Sequence, residues 1–369
     1  MKVLIDTNPL YTSRAGVCRY VNGLLSGLRG LAAGPETAEL AWPVENLDYR
    51  QPARALKTAY RELVWPLTAA RRAMMRHAPD ILHTTANVFY RAPQGSGRVH
   101  TLYDLAVVRH PERFRRWHRS SWRRHLRKVA PADRILCISR FTADEAMSLL
   151  GAPADKLAVT YCGHSLSAVA AASDEEVASS IGRSAPAEFL LFVGSLEPGK
   201  NLDLLRQTYR AAEGSGFHLP PLLIVGARRE GVAAESHAPH NWLYLGYQPD
   251  AVLVRLYCKA VALLFPSRYE GFGLPVLEAM ALGCPVICSP VASLPEVGGD
   301  AVLYADQTPA DYLRVIRRLL QEEPLRLESI AKGRAQASRF SWRRCAEETV
   351  SVYEEVLREK AVRPPGGAA

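Results

Sequence analysis

The run 261-VALLFPSRYEGFGLPVLEAMALGCPVICS-289 decides the fold class of this 369-residue chain. It opens with five apolar residues, continues through a glycine-rich loop, and has Pro275 where a proline suits the first turn of a helix. The run ends in 285-PVICS-289, a short apolar segment typical of a buried strand. Strand, loop, helix and strand in this order predict a βαβ unit with parallel strands.

The same alternation extends in both directions from this run. Predicted strands cover residues 3–5, 80–83, 98–102, 134–138, 157–160, 189–193, 222–225, 242–245, 261–265, 285–289 and 301–304. Predicted helices lie near residues 17–29, 53–77, 112–130, 140–150, 201–213, 249–259, 275–282, 309–321, 325–335 and 342–360. Strict alternation of strand and helix predicts an α/β fold built on parallel sheets.

Two domains are expected from the length and from one break in this rhythm. The alanine- and serine-rich stretch 166–187 is predicted to be a linker that contains a short helix. We therefore predict one domain over 1–165 and a second over 188–340, with the helix at 342–360 returning to the first domain.

Composition excludes several classes of protein. Hydrophobic residues make up 48% and charged residues 22%, which argues against a disordered, collagen-like or coiled-coil chain. No apolar run approaches the ~20 residues of a membrane span, and the first residues lack the features of a signal peptide. The seven cysteines include no C-x-x-C pair, which predicts reduced thiols and no zinc site. We expect a cytoplasmic protein.

Positive charge is concentrated in the first half of the chain. The net charge is +9, and residues 1–165 hold 25 Lys and Arg against 13 Asp and Glu, which predicts an anionic partner. In the basic stretch 112–128, Phe114, Trp117 and Trp122 share one half of a helical wheel. This stretch fits a helix on the inner face of the cytoplasmic membrane, and it equally fits a helix packed on the first sheet with a solvated basic face. No nucleic-acid motif accompanies it, so no nucleic-acid partner is expected.

Two loops carry candidate chemistry. In 193-VGSLEPGKNLDLL-205, Lys200 stands where a helix begins, a position unfavourable for a cation unless an anion lies beside it. In the quoted run, the helix after Gly271 and Gly273 offers free backbone N–H groups, which suit a phosphate. Glu270 and Glu278 flank that helix start and suit sugar or ribose hydroxyls, although a loop glutamate and a capping glutamate explain the pattern equally well.

Taken together, these motifs resemble the family 4 retaining glycosyltransferases, with particular similarity to bacterial mannosyl- and rhamnosyltransferases of surface polysaccharide synthesis. The resemblance extends over nearly the whole chain. It is carried by Gly16 with Arg19 and Tyr20, 101-TLYDL-105, 138-ISRFTADE-145, 193-VGSLEPGKN-201, 245-LGY-247, 270-EGFGLPVLEAMA-281 and 294-LPEVGGDA-301. It implies the GT-B fold, in which two Rossmann-like domains with parallel sheets face each other across a cleft.

The resemblance also implies a role for each motif residue. Lys200, Glu270 and Asp104 would be catalytic, and Arg19, Tyr103 and Asp104 would lie on the acceptor side. The donor would be bound by Gly16, Gly194, Ser195, Lys200, Tyr247, Glu270, Phe272, Gly273, Leu274 and Glu278. The chain departs from its relatives at Ser195 and Gly199, where many have arginine, and at Tyr103, where many have histidine.

The predicted activity is transfer of a hexose, with mannose or rhamnose favoured, from a GDP-, UDP- or dTDP-linked donor with retention of configuration. The acceptor would be a saccharide or a polyprenyl-linked saccharide. No D-x-D motif is present, so no metal or other cofactor is expected. Two alternatives stay open: a nucleotide-sugar epimerase of the same fold, and a non-catalytic nucleotide-binding partner protein.

Overall fold

The computed structural model describes residues 1–13, 16–46, 53–86, 90–114, 119, 129, 131–227 and 239–362. The chain divides into two compact units. Unit 1 comprises Met1–Gly163 and Ser341–Ala369, and unit 2 comprises His164–Phe340.

Unit 1 is built on six parallel strands. They are β1 (Lys2–Asp6), β2 (Glu36–Leu40), β3 (Ile81–Thr84), β4 (Gly97–Leu102), β5 (Arg134–Cys137) and β6 (Leu157–Val159), in the spatial order β2-β1-β3-β4-β5-β6. The register pairs Leu4 with Leu82 of β3 and with Ala38 of β2. Buried Leu4, Leu82 and Leu40 belong to the core on one side of this sheet.

Unit 2 repeats the architecture with a different strand order. Its strands are β7 (Leu190–Val193), β8 (Leu222–Val225), β9 (Trp242–Gly246), β10 (Ala262–Phe265), β11 (Val286–Cys288) and β12 (Leu303–Tyr304), in the order β12-β11-β10-β7-β8-β9. All residues of β7, β8 and β10 are buried, as expected for parallel strands covered on both faces. The predicted α/β class with parallel sheets is confirmed.

Helices connect the strands of each unit. In unit 1 they are α1 (Pro9–Thr12), α2 (Gly16–Arg29), α3 (Arg54–Ala59), α4 (Ala69–His77), α5 (Ala106–Arg109) and α6 (Arg140–Leu150). In unit 2 they are α7 (Asp174–Ile181), α8 (Leu202–Gly214), α9 (Asp250–Lys259), α10 (Leu274–Ala281), α11 (Leu294–Gly298), α12 (Pro309–Gln321) and α13 (Glu323–Ala337). The last described helix, α14 (Trp342–Val362), belongs to unit 1.

Three expectations need correction. The stretch 166–187, predicted as a linker, is part of unit 2, where Asp174 of α7 pairs with Arg255 at 3.0 Å and Lys259 at 2.9 Å. Strand β2 was not predicted, because its sequence ETAEL is polar and only its last residue is buried at the sheet edge. The single helix predicted over 53–77 is interrupted at Thr68, two residues after Pro66, which lacks the N–H that a continuous helix needs.

The predicted basic helix over 112–130, including Trp117 and Trp122, falls mostly on residues outside those described (115–118, 120–128 and 130). Within the described ranges, no helix is both long enough and apolar enough to cross a lipid bilayer.

Helix α14 packs closely on α2 through glycines. A Cβ atom on Gly23 would lie 2.1 Å from the Trp342 ring, and one on Gly27 would lie 2.3 Å from the Trp342 carbonyl oxygen. Further along α14, the Tyr353 hydroxyl lies 2.6 Å from Nδ1 of His83 in β3, and burial lowers the pKa of His83 to about 3. Backbone contact and a buried polar bond therefore hold the C-terminal helix against the first sheet.

Candidate active site

The strand order of unit 2 creates a crevice between β7 and β10. From β7 the chain proceeds through β8 and β9 on one side, whereas β10, β11 and β12 lie on the other side. The loops that leave the carboxyl ends of β7 and β10 therefore diverge, and such a switch point is where doubly wound sheets bind ligands. Lys200 lies in the first of these loops and Glu270 in the second.

The loop after β7 brings Lys200 back over the sheet. A single 3-10 turn over Pro198–Lys200 leads to Asn201, whose left-handed conformation (φ 55°) precedes the first residue of α8. The ammonium group lies 5.4 Å from the centre of the Phe265 ring, the last residue of β10. Lys200 is therefore positioned at the crevice by backbone geometry and by a cation–π contact.

Lys200 and Glu270 form an ion pair. Lys200 Nζ donates to Glu270 Oε1 at 2.5 Å, and the two side chains are only 16% and 12% exposed. The sequence predicted Lys200 to be a phosphate ligand; in the structure, the anion beside it is the Glu270 carboxylate. The pair joins two residues that the resemblance assigns to catalysis and to donor binding.

Main-chain hydrogen bonds fix the two loops against each other. The Arg268 N–H donates to the Gly199 carbonyl at 2.9 Å, which ties the loop after β10 to the loop after β7. The Ser293 hydroxyl donates to the Glu270 carbonyl at 2.9 Å. Ser293 was missed by sequence reasoning, because a serine just before a short helix is common and gives no local signal of its partner.

Helix α10 begins at this crevice. Gly273, at φ 102°, precedes it, and a Cβ there would lie 2.7 Å from the Leu294 side chain, so only glycine fits without strain. The first turn of α10 carries Leu274 and Pro275, which has no N–H, and the Val276 and Leu277 N–H groups donate to the Gly273 carbonyl at 3.0 and 3.2 Å. The positive end of the helix dipole at this point suits an anionic group such as a phosphate.

The remaining predicted donor residues of unit 2 differ in burial and position. Gly194 follows β7, and a Cβ on it would lie 3.7 Å from the Lys200 side chain, whereas Ser195, next in the loop, is half-buried. Phe272 is buried against the Phe340 ring, with centroids 5.9 Å apart. Tyr247 follows the edge strand β9 and is 55% exposed.

Glu278 lies inside α10 and is nearly fully buried. Its Oε2 accepts a long hydrogen bond of 3.4 Å from the Tyr257 hydroxyl of α9. The structure therefore places this carboxylate in the helix that follows the loop after β10, about one turn from Gly273, as the spacing predicted.

The four predicted residues of unit 1 follow its own strands. Gly16 is the exposed first residue of α2, and Arg19 is half-buried one turn later. Tyr103 follows β4, packs edge-to-face on Tyr20 at 5.2 Å, and has a pKa well above its usual range because its hydroxyl is buried. Asp104 accepts a 2.9 Å hydrogen bond from the Ala106 N–H and so caps α5.

Asp6 is a further buried acid in unit 1 that sequence reasoning missed. It is the last residue of β1 and is fully buried. Strand β1 lies between β2 on one side and β3 on the other, so this is the switch point of the first sheet. Its Oδ1 accepts from the Asn8 N–H at 3.0 Å and from the Asn8 amide at 2.8 Å. Burial raises the pKa of Asp6 to about 6, and these bonds oppose that increase without cancelling it. An acid directly after a buried strand was the available signal.

Among the residues that the structure describes, no three His, Cys, Asp or Glu side chains are grouped so that they could hold a metal ion.

Comparison with known proteins agrees with this architecture. Residues 31–168 match the model of glycosyltransferase family 4, and residues 173–336 match that of glycosyl transferases group 1. O-antigen chain mannosyltransferase B of Escherichia coli is 32% identical over 403 residues, which cover 96% of this chain and 100% of that protein.

Two solved structures share the fold. Sucrose-phosphate synthase from Thermosynechococcus elongatus has a TM-score of 0.74 at 19% identity, covering 97% of this chain and 100% of the other. Anabaena Alr3699/HepE, in complex with UDP and glucose, has a TM-score of 0.69 at 15% identity, covering 96% and 100%. At such identities the likeness concerns the fold alone.

The two six-stranded parallel sheets, the two family models and the relative with full-length similarity together identify a glycosyltransferase of the GT-B fold. The chain belongs to the family 4 glycosyltransferases, whose group 1 domain contains Lys200, Glu270 and Glu278.

Proposed function

We propose that this protein is a retaining, metal-independent hexosyltransferase of surface polysaccharide synthesis that uses a nucleoside diphosphate sugar as donor. The observation that carries the proposal is the Lys200–Glu270 ion pair at the switch point of unit 2. It supplies a cation for a diphosphate and a carboxylate for sugar hydroxyls within one crevice.

In this proposal the diphosphate lies against Lys200 and the first turn of α10. Negative charge grows on the diphosphate as the bond to the sugar breaks, and the Lys200 cation with the positive end of the α10 dipole stabilises that charge without a metal. Glu270 would bind the transferred sugar, either after it separates from Lys200 or while Lys200 contacts both Glu270 and the diphosphate. Glu278 would bind the ribose, and Tyr247 would flank the base.

The acceptor hydroxyl attacks from the face that the diphosphate leaves, and a phosphate oxygen takes its proton. The sugar–phosphate bond breaks, the glycosidic bond forms, and the products are a nucleoside diphosphate and a glycoside of unchanged configuration. No protein nucleophile is required, so the protein acts by positioning and electrostatic stabilisation. Within unit 1, Asp104, with Arg19 and Tyr103, would orient the acceptor.

Mannose is the favoured sugar because the relative with full-length similarity is named for mannosyl transfer to an O-antigen chain. The same name supports a saccharide acceptor, since it specifies an O-antigen chain. The structural neighbour with UDP and glucose supports a nucleoside diphosphate donor, and the base is left for experiment to assign.

A panel of GDP-, UDP- and dTDP-linked hexoses tests the proposal. One donor is expected to raise the melting temperature of the protein and to support transfer to an oligosaccharide acceptor. The anomeric configuration of the product, determined by NMR, should equal that of the donor. Activity is expected to survive treatment with a chelator.

Each contrary result has a distinct meaning. Donor turnover without any acceptor would indicate an epimerase or hydrolase. Stabilisation by nucleotide without any turnover would indicate a non-catalytic binding protein. Inverted product would contradict retention, and activity lost to chelator and restored by Mg²⁺ or Mn²⁺ would contradict the metal-independent mechanism.

A further inference from the structure

An apolar stripe is exposed along α3 and the two helical turns that extend it, a π turn over Tyr60–Val64 and a 3-10 turn over Trp65–Leu67. The stripe consists of Leu56, Tyr60, Leu63, Val64 and Leu67, which are between 39% and 76% exposed. Their spacing is that of one face of a helix, a pattern that normally faces a core. Here it faces solvent.

The opposite side of this segment is anchored in unit 1. Trp65 is buried and packs edge-to-face on Tyr90 at 5.9 Å. Ala70 and Met74 of α4 belong to the same core cluster as Trp65. Trp65 of the 3-10 turn and the inner face of α4 are therefore held in that core, whereas α3 has no buried residue.

The exposed face of α4 is cationic. Arg71, Arg72 and Arg76 are exposed around Met75, which is 65% exposed, and within the described ranges they form no ion pair. Residues 53–78 contain six Lys and Arg against a single acid, Glu62. Six of the eleven exposed large hydrophobic residues in the described part of the chain lie in this segment.

We propose that the segment 54–77 is a membrane-docking surface that binds anionic phospholipid. An apolar helix face flanked by basic residues matches the acyl boundary and the headgroups of such a bilayer. A second copy of the chain is a poorer occupant, since pairing this face with itself would bring two strongly basic surfaces together. The segment differs in sequence from the stretch 112–128, and the proposal does not depend on the donor or the acceptor.

Co-sedimentation with vesicles tests the docking surface. Wild-type protein should sediment with vesicles of equal parts phosphatidylglycerol and phosphatidylcholine at about 0.05 M salt, and much less with phosphatidylcholine alone or at about 0.5 M salt, where charge is screened. Combined Arg71→Gln, Arg72→Gln and Arg76→Gln should weaken partition on the order of 100-fold. Combined Leu56→Ser, Leu63→Ser and Leu67→Ser should weaken it by about tenfold or more.

The control variant carries Leu327→Ser and Arg210→Gln, exposed positions of unit 2, and should bind vesicles as wild type does. All variants should keep the wild-type melting temperature, since exposed substitutions rarely alter stability by more than about 0.5 kcal/mol. They should also keep activity on a soluble acceptor, so failure of the docking proposal and failure of the proposed function are told apart.

Three results would overturn the proposal. The first is wild-type protein that ignores anionic vesicles at low salt. The second is loss of binding only when Arg116, Arg119, Arg123 and Arg124 are changed to Gln, which would assign docking to the stretch 112–128. The third is a wild-type dimer by sedimentation equilibrium that the leucine variant dissociates, which would make a second copy the occupant.

Discussion

Lys200 and Glu270 neutralise each other across the crevice of unit 2. The ammonium group would be unfavourable next to the start of α8 without an anion, and the carboxylate 2.5 Å away provides one. Under the proposed function, an incoming diphosphate would compete with Glu270 for the lysine. Before the donor binds, the ion pair holds the lysine in place.

Replacing Lys200 with alanine should lower the turnover rate by about 10²–10³ even at saturating donor, because the lost interaction strengthens as charge develops on the leaving group. Steady-state kinetics with both substrates varied measure this effect. Lys259→Ala, which removes an exposed lysine paired with Asp174, is the matched control and should leave turnover unchanged. An increase in the Michaelis constant for donor with unchanged turnover would mean that Lys200 only binds.

Loss of Lys200 also leaves Glu270 unpaired. We expect a destabilisation of about 1–3 kcal/mol, below the range of fully buried pairs because both side chains retain some exposure. Melting temperatures with and without donor separate this loss from the kinetic effect.

Asp6 makes the stability of unit 1 depend on pH. Its pKa rises from 3.8 in the unfolded chain to about 6 in the fold, so the protonated form is favoured by folding. The stabilisation is complete below pH 4 and is lost as pH rises through 6. Asp6→Asn replaces the carboxyl group by an amide of similar shape, which cannot ionise. Relative to wild type, its free energy of unfolding should therefore rise between pH 4 and 7, by up to about 3 kcal/mol.

Urea unfolding at several pH values measures this difference. Asp155→Asn, at an exposed position of the same unit, should run parallel to wild type over the same range. An Asp6→Asn curve parallel to wild type would contradict the assignment.

The contact between α2 and α14 depends on glycine. At Gly27 an added Cβ would meet the backbone carbonyl of Trp342 at 2.3 Å, and a backbone atom cannot move aside as a flexible side chain can. The helices approach this closely because one of them presents no side chain at that point.

Gly27→Ala should therefore destabilise unit 1 by about 1–3 kcal/mol, despite the higher helix propensity of alanine. The control is Gly214→Ala at the end of α8, where nothing lies within 4 Å of the new Cβ. That change should be neutral or stabilising by up to about 1 kcal/mol. Thermal unfolding of both variants checks the contrast, and equal melting temperatures would contradict the close packing.

Most helices and strands could be predicted because their signals are local. The helix over 140–150 has Ser139 as its cap and Gly151 in the left-handed conformation after its end, and both are visible in the sequence. Strand β2 could not be predicted, since its polar sequence forms a strand only because β1 offers it a free edge. The exposed stripe of α3 carries the spacing of a buried face, so its exposure could not be foreseen.

Each unit has a sheet of six parallel strands, but the spatial order of the strands differs between the two sheets. The switch point, where successive strands are added on opposite sides, lies between β1 and β3 in unit 1 and between β7 and β10 in unit 2. These positions select the residues that gather at each carboxyl edge: Asp6 in unit 1, and Lys200 with Glu270 in unit 2. The family motifs predicted Lys200 and Glu270. Asp6 had the local signal of an acid after a buried strand, but only the strand order shows that it lies at the switch point of its sheet.

The alternation of strands and helices, the glycine loops and the family motifs are properties of the amino-acid sequence alone, because hydrophobic period, turn chemistry and motif spacing act over short stretches of chain. The meeting of Lys200 with Glu270, seventy residues apart, was decided by the order of the strands in the sheet. That order depends on which side of β7 each later strand packs, and so on the burial free energy of whole helices against the sheet. The same long-range packing determined that the segment 54–77 is anchored through Trp65 and α4 and leaves its apolar stripe exposed.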